Sequence, residues 1–186
     1  MLQQTQVSRV VGYYQRFLDR FPTLAHVATA SPHAVHEAWD GLGYYARARN
    51  LHELAQRVTR DGNGVLPSQP AQLRRLPGIG PYTAGAVASF AYEQSEALVD
   101  TNVARVLTRV FAPHLRRKRP RDLTRLWAIA ESVVPARGKA AWAHNQAIME
   151  LGALVCTARV RHCEVCPIAR HCKTRQRELR PSPKRR

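Results

Sequence analysis

Almost throughout the chain, apolar residues recur at spacings of three and four, with few alternating β-branched runs. That period lines up one face of an α-helix and disfavours strands. It implies an all-α fold in which strands are absent or trivial. Helices are expected from Val7 to Phe21, ending before Pro22, and from Pro32 to Asp40, capped by Ser31 and stopped by Gly41 and Gly43. A third runs from Arg47 to Arg60, before Asp61, Gly62, Asn63 and Gly64. Ser68 is placed to cap a short helix through Leu76, Pro81 to open one reaching Ala91, a further helix ends at Phe111, and Glu131 to Cys156 contains a long helix through Trp142, Asn145, Gln146, Met149 and Leu154. No internal repeat is visible. At 186 residues the chain is long enough to fold without staples, since a domain of about 150 residues already buries roughly 70% of its unfolded surface. No apolar run approaches the ~20 residues of a membrane span.

Charge narrows the partner. There are 29 Lys and Arg against 13 Asp and Glu, a net charge of +16, which predicts attraction to a polyanion, nucleic acid first. Residues 116–121 hold five basic side chains and residues 173–186 hold seven, together 12 of the 29. The remainder still exceeds the acids. The body is therefore basic, and residues 173–186 read as a solvated, disordered tail.

Leu76-Pro77-Gly78-Ile79-Gly80 followed by Pro81 is the clearest local device. Gly78 and Gly80 permit a tight turn and close approach of a phosphate, while free N–H groups at the next helix start, around Tyr82 and Thr83, attract its charge. A helix-turn-helix joint with glycines is also ordinary scaffolding, and the +16 charge favours the phosphate reading. Next, Asp100 or Thr101 opens the helix that ends at Phe111. Either can simply be its N-cap. A carboxylate there also suits the helix dipole and can stabilise a developing positive charge.

All four cysteines fall late, as Cys156, Cys163, Cys166 and Cys172 in the pattern C-x6-C-x2-C-x5-C, with none in the first 150 residues. With no secretory signal visible, this points to an intracellular metal site rather than disulfides. Zinc modules usually show two close pairs and this cluster has one, so an iron–sulfur cube suits it at least as well.

Residues 1–7 (Met-Leu-Gln-Gln-Thr-Gln-Val), residues 41–51 from Gly41-Leu42-Gly43-Tyr44-Tyr45 onward, Leu76 to Gly85, Val99 to Val106, Asn145 to Cys156 and the cysteine loop resemble, in order, the adenine DNA glycosylases of the MutY type. That family lies in the helix-hairpin-helix superfamily that includes endonuclease III. The resemblance covers residues 1 to about 172. It implies a six-helix-barrel domain over 1–111, with the helix-hairpin-helix at about 68–91, an iron–sulfur domain over 112–172, and the tail over 173–186. It implies a [4Fe-4S] cofactor on Cys156, Cys163, Cys166 and Cys172, structural in role. Gln4 and Tyr44 would enter the duplex, Gln4 near 8-oxoguanine and Tyr44 as a wedge, with Thr5 and Leu42 beside them. Extruding a base costs a few kcal/mol, which such fillers partly offset. Of Tyr44 and Tyr45, one is expected only to pack in the core. Gln146 matches the residue that reads the adenine edge through donor and acceptor.

Asp100 matches the essential aspartate that stabilises the oxocarbenium-like sugar, and Asn102 its structural neighbour. Tyr82 stands where bifunctional relatives carry a lysine, and a phenol cannot form a Schiff base, so a monofunctional hydrolase is expected. The family's general acid is a glutamate just upstream of the Met-Leu-Gln-Gln stretch. The chain begins at Met1, so a late start codon or truncation is expected, with catalysis of the chain as written impaired by about 10² to 10⁴. Glu37, Glu93 and Glu96 stand elsewhere in the pattern and are not assigned that role. The partner expected is double-stranded DNA with an A:8-oxoguanine or A:G mismatch, bound by a monomer in the cytoplasm at the nucleoid, without membrane contact. Arg159, Arg161, Arg170 and His171 would lie near the DNA backbone. Two other readings stand beside this one: a non-catalytic DNA-binding descendant, and a glycosylase for thymine or uracil opposite guanine.

Overall fold

A computed structural model describes residues 1–3, 5–117 and 119–179. Gln4, Lys118 and residues 180–186 lie outside it, including the end of the expected tail. Among the described residues the chain forms ten α-helices, and its one β pairing is an isolated bridge between Cys156 and Arg161. The all-α expectation holds. The chain divides into two compact units, Met1–Gly80 and Pro81–Arg186.

The first unit contains α1 (Val7–Arg20), α2 (Leu24–Thr29), α3 (Pro32–Ala38), α4 (Ala46–Gly62) and α5 (Pro70–Leu73). Val10 and Phe17 of α1 pack with Phe21, Val27, Val35 and Trp39 into its core. Phe17 meets Trp39 edge to face at a centroid separation of 6.0 Å, an arrangement aromatic quadrupoles favour. Ser31 caps α3 as expected, its hydroxyl accepting from the Ala34 N–H at 3.1 Å. Ser68 does not cap α5. Its N-cap is Gln69 with no side-chain bond, and Pro70, which has no N–H to satisfy, opens a helix ending at Leu73 rather than Leu76. The turn beyond it needs Gly78: its φ is +73°, and a Cβ there would stand 2.8 Å from the Cβ of Asn50.

The second unit contains α6 (Pro81–Tyr92), α7 (Thr101–Phe111), α8 (Pro120–Val133), α9 (Gly138–Glu150), a π-helical turn (Leu151–Val155), a 3-10 turn (Ala169–His171) and α10 (Lys173–Leu179). Leu98, Val103, Leu107 and Leu126 are its fully buried centre. Buried Asn145 ties α9 to α6, donating to Ser89 Oγ at 2.9 Å and to the Glu96 carbonyl at 2.8 Å. The long helix expected within residues 131–156 is α9 with the π-helical turn that continues it, and α8 ends before it. Val134 precedes Pro135 and is extended, ψ 131°, because the proline ring disfavours a helical residue before it. Residues 173–179 are helical where a disordered tail was expected. Three contacts hold them: the Thr174 hydroxyl donates to the Arg109 carbonyl at 2.7 Å, Gln176 Nε2 to the Arg170 carbonyl at 2.7 Å, and Arg161 pairs with Glu178 at 2.5 Å.

Twelve residues of α6 carry no charge, and Ala84, Gly85, Ala88 and Ser89 are its buried face. A Cβ on Gly85 would collide with the Ala97 carbonyl, which approaches the helix at that point. Helix propensity alone favours alanine over glycine by about 1 kcal/mol. Gly85→Ala is nevertheless expected to destabilise the protein by about 1–3 kcal/mol through overpacking against fixed backbone. A thermal melt checks the sign, and a raised midpoint would refute the close approach.

Candidate active site and cysteine centre

Asp100 is the N-cap of α7, with Oδ1 accepting from the Val103 N–H at 2.6 Å. The cap reading and the acid-at-a-helix-start reading are thus the same residue. Tyr82, the second residue of α6, lies within electrostatic reach of it. Burial first, and the negative charge of Asp100 second, push the Tyr82 phenol above its ordinary value. The phenol therefore keeps its proton and can donate it in a hydrogen bond.

Asn102 faces inward along the same turn, and its Oδ1 accepts from Arg105 Nη2 at 2.8 Å. Arg105 is only 5% exposed. Its Nη2 also donates to the Gly152 carbonyl at 2.6 Å and its Nε to the Cys156 carbonyl at 2.8 Å. Gly152 sits in the π-helical turn, where a Cβ would come within 2.8 Å of the Asn102 Cβ. Such turns often appear where a helix is bent to serve a site. Here the extra residue brings a carbonyl to a buried guanidinium. One turn on, Arg109 Nη1 donates to the Cys156 carbonyl at 3.1 Å, to its Sγ at 3.2 Å and to the Thr157 carbonyl at 2.7 Å. The Arg109 carbonyl in turn accepts from Cys172 Sγ at 3.4 Å. Two arginines on one face of α7 thus fasten the first cysteine, and one also reaches the last.

Cys156, Cys163, Cys166 and Cys172 are unpaired, half-buried, and line one cavity together with Val106, Arg109 and Ile168. Among the described residues, no three His, Cys, Asp or Glu are gathered as a single metal ion would gather them. The thiols surround a space. Of the basic residues expected near a DNA backbone, Arg161 is paired with Glu178, Arg170 Nε donates to His171 Nε2 at 2.9 Å, and Arg159 is exposed.

In the first unit, Tyr44 is 61% exposed and has a φ of +50°, a backbone region that side-chain-bearing residues rarely adopt. Tyr45 packs against the core and donates to Asp40 Oδ1 at 2.6 Å, the division of labour expected for the pair. Thr5 Oγ1 accepts from Arg47 Nη2 at 3.1 Å. Leu42 is 5% exposed and belongs to the core around Trp39. Gln4 falls outside the described residues. Gly80 has open space where a side chain would stand, beside the Gly78 turn. Thr83 is half-buried in the first turn of α6. Gln146 is half-buried on α9, with Nε2 donating to Glu150 Oε1 at 2.7 Å. Glu37 forms an exposed pair with Arg20 at 2.7 Å. Burial first, and Glu131 second, push the Glu96 carboxyl above its ordinary value. Sequence reasoning missed Arg47, Arg105 and Arg109. The one signal was the one-turn spacing of the last two on an otherwise apolar helix.

The chain is 45% identical over 95% of its length to the human adenine DNA glycosylase, of which it spans 32%. It is likewise 45% identical over 94% of its length to that of Mycolicibacterium smegmatis, of which it spans 58%. It thus covers a third to three fifths of these relatives. A thermostable thymine-DNA glycosylase superposes with a TM-score of 0.84 at 27% identity, over 95% of this chain and 80% of that one. An endonuclease III trapped on DNA shares the fold, with a TM-score of 0.80 at 23% identity, over 96% and 82%. Residues 1–129 match the model of the HhH-GPD superfamily base excision DNA repair proteins, and to that superfamily the chain belongs.

Proposed function

We propose that the chain is the catalytic body of a monofunctional DNA glycosylase that hydrolyses the N-glycosidic bond of adenine mispaired with 8-oxoguanine or guanine. The observation that carries this reading is the Asp100 carboxylate at the head of α7 beside a protonated Tyr82, in a chain so similar to adenine DNA glycosylases. As the C1′–N9 bond breaks, the sugar becomes cationic, and a fixed carboxylate stabilises that charge more in the transition state than in the ground state. Water adds at C1′ and adenine leaves with a proton from the general acid. Tyr82 has no amine with which to trap the abasic sugar. Gly78, Gly80, Tyr82 and Thr83 would receive a phosphate, Gln146 the adenine edge, and Gln4, Thr5 and Tyr44 the unpaired side of the duplex.

Single-turnover reaction of the protein in its natural length with duplexes carrying A:8-oxoguanine, A:G and T:G tests this. Adenine release, with strand breakage only after hot alkali, is expected. Breakage without alkali would contradict the monofunctional assignment. Release of thymine in preference to adenine would favour the second reading, which the 27% identity to a thymine-DNA glycosylase motivates. Binding with no release in any duplex would favour the non-catalytic one.

The cysteine centre fits a [4Fe-4S] cluster. All four thiols line one cavity, and the single close pair in their spacing is less typical of zinc modules than of such a cluster. Bound there, the cluster would act as a structural cross-link of residues 156–172, and the expected division into a barrel over 1–111 and a cluster domain over 112–172 rests on it. Anaerobically purified protein is expected to hold about four iron and four sulfide per chain. Zinc without sulfide would refute it.

A further inference from the structure

We infer that Arg47 is the positioning residue that holds Tyr44 and the residues flanking Gln4 as one edge, raised for insertion into lesion-bearing DNA. The inference rests on the reading of Tyr44 as an inserted wedge.

Arg47 lies in the first turn of α4 and grips two stretches of chain that sequence keeps apart. Nη1 donates to the Met1 carbonyl at 2.7 Å and to the Gln3 carbonyl. Nη2 donates to Thr5 Oγ1 at 3.1 Å and is shared between the Gly43 carbonyl at 3.2 Å and the Leu42 carbonyl at 3.5 Å. The residues on both sides of Gln4, and the two preceding Tyr44, thus end on one guanidinium. Two aromatic rings stand near it as well. The guanidinium carbon stands 5.5 Å from the ring centre of buried Trp39 and 5.3 Å from that of exposed Tyr44.

A tyrosine at φ +50° with most of its surface in water is held neither by backbone preference nor by burial. Such a conformation persists only where surrounding contacts over-determine it. The stack on Arg47 and the bond to Gly43 supply those contacts. Among the described residues, Arg47 Nε is buried with no hydrogen-bond partner, in a side chain whose other nitrogens are fully used. Lysine has one nitrogen and no planar fork, so it cannot span both stretches of chain.

An arginine that merely ties the fold together would weaken binding to all DNA alike. One that acts through Tyr44 would weaken discrimination. The test is the ratio of affinities for an A:8-oxoguanine duplex and the matched A:T duplex at one salt concentration, for the full chain and for Tyr44→Ala, Arg47→Lys and the double variant. Each single change is expected to lower the ratio about tenfold, with the double variant no lower than either, the non-additivity of residues acting as one unit. Arg47→Gln, a smaller planar group, gives the same comparison if the lysine variant does not fold. A wild-type ratio in the Arg47 variants, or effects that multiply in the double variant, overturns the inference while leaving the wedge intact. A wild-type ratio in Tyr44→Ala removes the wedge, and the inference with it.

Discussion

Replacing Asp100 by asparagine is expected to lower single-turnover release of adenine by about 10³-fold or more while leaving duplex affinity within a factor of about two. The assay compares the two proteins in their natural length under one set of single-turnover conditions. The substitution is chosen because the fold should not notice it. Asparagine is as good an N-cap as aspartate, and its Oδ1 can keep the 2.6 Å bond from the Val103 N–H. What disappears is the negative charge. Stability unchanged with turnover lost assigns the charge to the reaction; stability and turnover falling together would assign Asp100 to the scaffold alone. Turnover retained at the wild-type rate removes it from the mechanism.

Removing the buried guanidinium of Arg105 is expected to have the largest effect on stability. In Arg105→Met, the Cys156 carbonyl keeps its bond from Arg109, but the Gly152 carbonyl and Asn102 Oδ1 lose the donor they share. Two orphaned acceptors at about 1–3 kcal/mol each, with imperfect filling of the space left, give about 3–5 kcal/mol. In a protein of this size each kcal/mol moves the melting midpoint by about 2–4 °C, so a fall of about 6–20 °C follows. The loss should extend to the site, because Asn102 follows Asp100 by two residues and its side chain is then unheld. A midpoint within about 2 °C of wild type would mean that water replaces the guanidinium at little cost.

Those elements were legible in the sequence whose cause is local. Ser31 and Asp100 announce their helices by side-chain chemistry at the cap, and α1 by a face of apolar residues. The end of α8 at Val134 is likewise local, since Pro135 keeps the residue before it extended. The π-helical turn was not read, and its Gly152 carbonyl meets an arginine 47 residues earlier in the chain, a contact no local pattern announces. The site divides in the same way. Asp100 and the four cysteines stand out by residue type and spacing, although the role of Asp100 came from resemblance. Arg47, Arg105 and Arg109 did not stand out: among 29 basic residues an arginine reads as surface, and only the fold reveals which carbonyls it meets.

The most direct measurement is a crystal structure of the protein on a duplex in which a cationic pyrrolidine nucleotide, mimicking the charged sugar, stands opposite 8-oxoguanine. The expected result is the everted pyrrolidine over the head of α7, its ammonium within about 4 Å of the Asp100 carboxylate, the separation at which an ion pair is strong. A carboxylate turned from the ring, with another group of the protein facing the ammonium, would contradict it.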